Sequence, residues 1–342
     1  MSARGQSTRH GIGYLPYTPP PAPGTHAARR EVSLRIAADA DHIRNVHLMG
    51  LAMQGECTAW DTLIAQDLSW HRLMYDLSPS QLGFAMKSLV NMLPTPDNLR
   101  RWRYGDFPCT LCGKPTPTPA HILSSCKTAL HQGRYKYRHD QVLAVLHSAI
   151  ARKATAIGKA QIRTSSDDEV RFHVAGARPP APQQKSAATL LQSACDWAVT
   201  CDLSSLGQYT FPIPGITELR PDIVLVSDET KQLIIVELTC PNEAGMEDAR
   251  QRKLKKYLDE LVPACKPTHK TTLLTVEVGN RGFLNASSQQ ALQRLGVWSG
   301  ELHRQLSNTV LRGSYAIFIH RNDPVWSWNV DMHDARPPHR LQ

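Results

Sequence analysis

Two apolar runs separated by a short polar break stand out in the C-terminal half of the chain. Asp222-Ile223-Val224-Leu225-Val226-Ser227 is followed by the polar Asp228-Glu229-Thr230-Lys231, then by Gln232-Leu233-Ile234-Ile235-Val236-Glu237-Leu238. Runs of β-branched and aliphatic residues bounded by turn formers predict buried strands. A four-residue loop sets Ser227 opposite Gln232, and the same register carries Asp222 opposite Glu237 on one face of the sheet. Further strands are predicted where Trp197, Val199, Cys201 and Leu203 alternate with smaller or polar residues, over Thr271–Val278, and over Tyr315–Ile319.

The remaining periodicity is helical. From about Glu31 to Arg103 the pattern is that of helices, with Leu82, Met86, Leu89, Val90 and Leu93 forming a stripe that stops at Pro94. Thr95 with Pro96 predicts an N-cap and first-turn proline for a helix carrying Leu99 and Trp102. Val142, Leu143, Leu146, Ala149 and Ile150 mark another helix, Ala244–Val262 a third, and Ser287–Leu311 a helical region broken near Gly296. The succession predicts a mixed α/β domain from about 188 to 330, behind a helical N-terminal part. There is no internal repeat.

The chain has 342 residues, which suits one to three domains. The organisation expected is a disordered Pro-rich arm (1–30, around Pro19-Pro20-Pro21), a helical region (31–105), a metal loop (106–130), a basic helix (131–162), a polar linker (163–187), the α/β domain and a tail (331–342). A net charge of +9 and a pI near 9.2 favour a polyanionic partner. No apolar run approaches the roughly 18 residues of a membrane span, and Met1–Pro23 has no signal-peptide core. Eight cysteines in such a chain point to a reducing compartment and metal ligation rather than disulfides.

Four of those residues fall at ligand spacing: Cys109-x2-Cys112-x8-His121-x4-Cys126. Three thiolates and an imidazole make a closed tetrahedral zinc site of the structural kind. Gly113 eases the turn, and Pro108, Pro115, Pro117 and Pro119 stiffen the loop. The competing reading is an unmetallated loop. Cys57, Cys195, Cys201, Cys240 and Cys265 lack ligand spacing and suit packing. The stretch Arg134-Tyr135-Lys136-Tyr137-Arg138 suits phosphate contact plus base stacking, or equally a half-buried helix start.

Asp222 and Glu237 carry the candidate chemistry. Directly opposed side chains have Cβ atoms roughly 4.5–5.5 Å apart, close enough for both acids to hold one ion. Their mutual repulsion calls for a cation, and hard oxygen ligands select magnesium or manganese. The following helix crowds Arg250, Arg252, Lys253, Lys255 and Lys256 into two turns, with Lys253 and Tyr257 on one face. A lysine there can stabilise charge on an attacked phosphate or orient the water. The plain alternative is a structural hairpin followed by a solvated basic helix.

Taken in order, the zinc loop, Arg138-His139-Asp140, Arg220-Pro221-Asp222, Glu237 and Lys253 with Tyr257 resemble the C-terminal part of site-specific non-LTR retrotransposon proteins. In these a zinc knuckle and a restriction-like endonuclease follow the reverse transcriptase. The likeness runs from about Ser69 to Trp326 and extends to the PD-(D/E)XK nucleases, whose core is a mixed sheet flanked by helices. It implies that Asp222 and Glu237 bind the catalytic metal and that Lys253 is the displaced catalytic lysine. Lys256 is then a weaker candidate, and Tyr257 the tyrosine that follows. The Arg-His-Asp triplet would position DNA, so Arg134, Lys136, Arg138, His139, Arg220 and Arg252 form the expected nucleic-acid contact set. Two departures stand out. Thr239 occupies the usual lysine position of the strand. No polymerase signature is present, because the single Asp167-Asp168 pair lies in a polar loop. The resemblance implies a nuclear DNA-nicking module, with DNA and element RNA as partners and no membrane. A binding remnant without turnover and a zinc-dependent interaction module are the alternatives.

Overall fold

The structure is a computed structural model, and it describes residues 7–8, 11–12, 26–60, 63–65, 75–164, 189–213 and 218–327. Most of the expected arm, the expected linker after Thr164 and the expected tail lie outside these residues. The described residues up to 60, together with Leu89–Met92, form one compact unit. The remainder, containing the metal loop, the basic helix and all of the larger sheet, forms a second.

The first unit holds two short paired strands, β1 (Ser7–Thr8) and β2 (Gly11–Ile12), and the helix α1 (His26–Met49). A 3-10 stretch, Gln54–Trp60, follows, so the helical pattern expected from Glu31 is interrupted there. Asn91 ties the unit together by donating from Nδ2 to the Met53 carbonyl at 3.0 Å and to the Glu56 carboxylate.

In the second unit the sheet order is β3 (Ala198–Cys201), β4 (Ile223–Ser227), β5 (Gln232–Thr239) and β6 (Lys270–Glu277). β3, β4 and β5 run antiparallel, and β6 lies parallel to β5. The expected hairpin register is observed, with Ser227 opposite Gln232. A parallel neighbour needs a crossover, here supplied by α6 (Met246–Asp259) and α7 (Leu261–Cys265). The expected helix 244–262 is therefore three pieces: a 3-10 turn at Glu243–Gly245, α6, and α7 after a break at Glu260. Pro263 falls in the first turn of α7, where its missing N–H costs nothing.

Alternation of side chains divides the sheet between two cores. Ile223, Leu225, Ile234, Val236 and Leu238 pack with Val142, Leu143, Leu146 and Ile150 of α5 (Arg134–Thr164) and with α8 (Ala286–Leu295) and α9 (Gly300–Ile319). Val224, Val226, Leu233 and Ile235 face Tyr257 and Leu261 from the crossover. By the same parity Asp222 and Glu237 belong to the crossover face. The fold is thus mixed α/β, with helices flanking a four-stranded mixed sheet.

Two expectations need correction. Tyr315–Ile319 is the last turn of α9, not a strand. Leu302, Leu306, Val310, Ser314 and Ile317 recur at helical spacing and are all buried, so the run continues a helix face. The stripe expected around α2 (Pro79–Leu89) holds in part: Leu93 is buried and Leu82, Leu89 and Val90 are half-buried, but Met86 is exposed and Phe84, Ala85 and Ser88 are buried. Phe84 packs on Tyr315 and Phe318 of α9. Thr95 does precede α3 (Pro96–Arg101) as N-cap, with an extended backbone, but its hydroxyl makes no cap bond.

One buried ion pair joins the end of β5 to the loop after β6. Glu243 Oε2 lies 3.1 Å from Arg281 Nη1, Glu243 Oε1 accepts the Arg281 amide at 2.6 Å, and Arg281 Nε donates to the Ser88 carbonyl at 2.9 Å. Removing one partner strands the other charge. Arg281→Met or Glu243→Met alone should cost about 3–5 kcal/mol in denaturant unfolding, whereas the double Met variant should recover most of that loss.

Candidate metal centre and carboxylate pair

The turn chemistry around Cys109 brings the four zinc-type ligands together. Gly113 adopts φ +72° and its amide bonds to the Cys109 carbonyl at 2.8 Å, while the Cys109 amide bonds to the Lys114 carbonyl at 2.8 Å. The Thr118 hydroxyl accepts the His121 amide at 3.2 Å, opening a π-helical turn at His121–Ser125 that leads to Cys126. The ligand atoms of Cys109, Cys112, His121 and Cys126 all lie within 4.8 Å of one another. Cys109 Sγ is 4.0 Å from Cys126 Sγ, and Cys112 Sγ is 3.4 Å from His121 Nε2. Tetrahedral zinc, with bonds of about 2.3 Å to sulfur and 2.0–2.1 Å to nitrogen, needs ligand atoms about 3.5–3.8 Å apart. The cluster can hold a zinc ion. Burial, with neighbouring thiols, pushes the Cys126 thiol up to about 11, a penalty that a bound divalent cation reverses.

The acid pair is built from the start of β4, the end of β5 and the exposed side of α6. Asp222 and Glu237 are both buried. The Asp222 amide donates to Glu237 Oε2 at 3.3 Å, and Asp222 Oδ2 accepts the Leu238 amide at 2.7 Å. Lys253 reaches from α6 to form an ion pair with Glu237 Oε1, and its side chain stays 34% exposed. Tyr257, one turn further, has its ring beside the Lys253 ammonium and its hydroxyl near Glu237. Burial, then the Asp222 charge, raises the Glu237 carboxyl above its ordinary value, while Lys253 opposes the shift. Lys256 has its ammonium 5.5 Å from the centre of the Tyr257 ring, and Lys253 has its own at 5.9 Å. Of the two lysines, Lys253 is the one paired with Glu237.

His139 completes this site, in a place that spacing did not reveal. Its Nε2 lies 3.4 Å from Asp222 Oδ2 and 3.2 Å from the Leu238 carbonyl, and its Nδ1 lies 3.1 Å from Asp140 Oδ1. Lys136 holds the far side of Asp140 at 2.6 Å. Burial works against charging His139, but Asp140 and Asp222 outweigh it and raise its pKa well above the ordinary value. Asp140 is likewise held below its usual range, burial being outweighed by His139 and Lys136.

Other members of the expected nucleic-acid set divide by burial. Arg134 and Arg138 are interior residues, not phosphate contacts. Arg134 Nη1 donates to the His320 carbonyl and Nε to Gln132 Oε1 at 2.7 Å. Arg138 donates to the Leu123 carbonyl at 2.8 Å, the Ser314 hydroxyl at 3.1 Å and the Cys240 carbonyl at 2.9 Å. Lys136 and Arg252 are exposed or largely so. Arg220 is largely exposed too, pairs with Asp202 and lies 5.4 Å from the Tyr209 ring centre.

Two buried groups went unread in the pattern. Thr239 on β5 and Glu277 on β6 are ladder partners, and neither the Thr239 hydroxyl nor Glu277 Oε1 finds a hydrogen-bond partner. No protein-family model matches the chain, and no curated protein matches it either.

Purified protein should carry about one equivalent of zinc by elemental analysis, with Cys109→Ser and Cys126→Ser variants losing it. Chelation should lower the thermal midpoint by several degrees, because a ligand bound only by the folded state stabilises it by mass action. Zinc-free protein with an unchanged midpoint would contradict a structural site.

Proposed function

We propose that this chain is a metal-dependent DNA endonuclease module of the restriction-like kind found behind the zinc knuckle of site-specific non-LTR retrotransposon proteins. The observation that carries this reading is the convergence of Asp222, Glu237 and Lys253, two acids on neighbouring strands and an ammonium delivered by the crossover helix.

The donor set suits magnesium or manganese. Two carboxylates share one face, and burial followed by the Asp222 charge beside it raises the Glu237 carboxyl. A hard divalent cation held by Asp222 and Glu237 relieves that repulsion and takes oxygen ligands by preference. When bound, the metal supplies an activated water and polarises the phosphoryl oxygen. The protein's own groups do the rest. The Leu238 amide and His139 hold Asp222 in place. Tyr257 packs beside Lys253 and Glu237. Lys253, ion-paired at the mouth yet partly solvated, is placed to meet the negative charge that builds on the attacked phosphate. Hydrolysis of the P–O3′ bond leaves a 5′-phosphate and the free 3′-hydroxyl that a reverse transcriptase extends. On this reading the module works on nuclear DNA, with element RNA as a second partner. The exposed Lys136, Arg220 and Arg252 are the cations left for the phosphate backbone.

A second reading, nucleic-acid binding without turnover, draws on a different aspect of the same contacts. Lys253 pairs with Glu237 and His139 with Asp222, so each acid already has a basic neighbour. Nicking of supercoiled plasmid with magnesium or manganese separates the readings. Wild type should nick, Asp222→Ala and Lys253→Ala should each lose about 10²-fold or more in rate, and Lys256→Ala should stay close to wild type. Equal nicking by all four proteins would remove the acid pair from the mechanism. Salt-sensitive binding with no nicking under either ion would establish the second reading.

A further inference from the structure

The first turns of α5 touch the zinc loop on one side and the acid pair on the other. Tyr135 accepts the Cys126 amide at 3.0 Å, and its hydroxyl lies 3.2 Å from the His121 carbonyl and 3.0 Å from that of Ile122. Arg138, one turn on, is fully buried and bridges two carbonyls. Leu123 lies between ligands His121 and Cys126, and Cys240 lies three residues past Glu237. His139, the next residue, meets Asp222 and the Leu238 carbonyl. A second connection runs beside this one. Asn280 Nδ2 donates to the Ser124 hydroxyl at 3.4 Å, while the Asn280 amide donates to the Pro241 carbonyl at 2.7 Å. Residues 123 and 124 of the metal loop are thus joined to residues 240 and 241, just past the end of β5, by two separate bridges.

Packing leaves these bridges little slack. A Cβ at Gly313 of α9 would fall 2.9 Å from Arg138 Cγ, 3.1 Å from its Cβ and 3.3 Å from its Cα. α9 therefore clamps the stem of Arg138 against movement, and Ser314 of the same helix bonds both the Arg138 guanidinium and the Asn280 carbonyl, the latter at 2.6 Å. A guanidinium with a fixed stem presents its donors at fixed positions, so it locks one acceptor relative to the other.

We infer that the zinc loop is a positioning element for the acid pair, acting through Arg138, rather than a separate nucleic-acid grip. With zinc bound, the His121–Cys126 turn is rigid. Arg138 carries that rigidity to Cys240, and His139 carries it to Asp222. The mechanical part of this inference stands on contacts alone. Its consequence for catalysis rests on the endonuclease reading above.

Amide hydrogen exchange on the full chain tests it without requiring any cleavage. Zinc removal should speed exchange of the segment 236–241 by about tenfold or more while leaving the 226–233 turn of the same hairpin unchanged. Arg138→Lys keeps the charge and most of the stem but cannot span both carbonyls. In zinc-loaded form it should reproduce the fast exchange at 236–241 with its zinc content intact. Removing zinc from this variant should then add little, the non-additivity expected of one shared bridge. Uniform acceleration along the whole hairpin, no change at 236–241, or additive effects of the two changes would each overturn the inference. Manganese titration of the same samples keeps the two claims apart. Faster exchange with weaker manganese binding supports the full chain of coupling. Faster exchange with no manganese bound by any sample, zinc-loaded wild type included, leaves the bridge standing and refutes the metal role of the acids.

Discussion

Two carboxylates side by side in a buried sheet face repel each other strongly, because little water is present to screen them. Asp222 and Glu237 stay together because charge and hydrogen-bond donors converge on them from three elements. β5 supplies the Leu238 amide, α6 supplies Lys253 and Tyr257, and α5 supplies His139. Each of those elements is in turn held by its own burial. The parallel placement of β6 requires the crossover that contains α6, and the other sheet face requires α5 as a cover. The acid pair is therefore the point at which both layers of the domain are committed to a single arrangement.

Much of this was legible in the letters because it was local or strictly periodic. The four-residue turn determines the pairing of Ser227 with Gln232, and period-two alternation then assigns Asp222 and Glu237 to one face. The spacing of Lys253 and Tyr257 put both on one helix face, and both reach Glu237. The zinc ligands were legible for a similar reason, since short spacings constrain distance even without a structure. Where the pattern misled, long-range contacts decided. Arg134 and Arg138 look like surface cations in a basic stretch, yet their acceptors lie about 100 to 190 positions away for Cys240 and His320. No window of sequence contains that information. His139 beside Asp222 is hidden in the same way. Tyr315–Ile319 misled through composition, since four aromatic and β-branched residues in five fit a strand until the preceding helix is seen to run through them.

The partition of arginines also changes what net charge means for this chain. A formal charge of +9 counts Arg134, Arg138 and Arg281, but all three are buried and satisfied mainly by carbonyls or by Glu243. Their positive charge contributes to internal order more than to an outer field. Exposed cations such as Lys136, Arg220, Arg252, Lys255 and Lys256 are the ones whose charge reaches solvent. Burying arginine in this way is expensive unless its planar donors match fixed acceptors, which explains why each of the three bonds to backbone carbonyls or a buried carboxylate.

Thr239 explains why the cation had to come from a helix. It sits two residues past Glu237 on the same face, and its partner on β6 is Glu277. Burial pushes the Glu277 carboxyl upward, toward its neutral form, and Ser288 donates to its Oε2 at 2.6 Å. The short threonine leaves that part of the face without a cation of its own. Lys253 enters instead from the layer above, with its stem along the helix surface and its ammonium at the solvent edge. From there it pairs with Glu237 while staying 34% exposed, which a fully buried strand lysine in that position could not do.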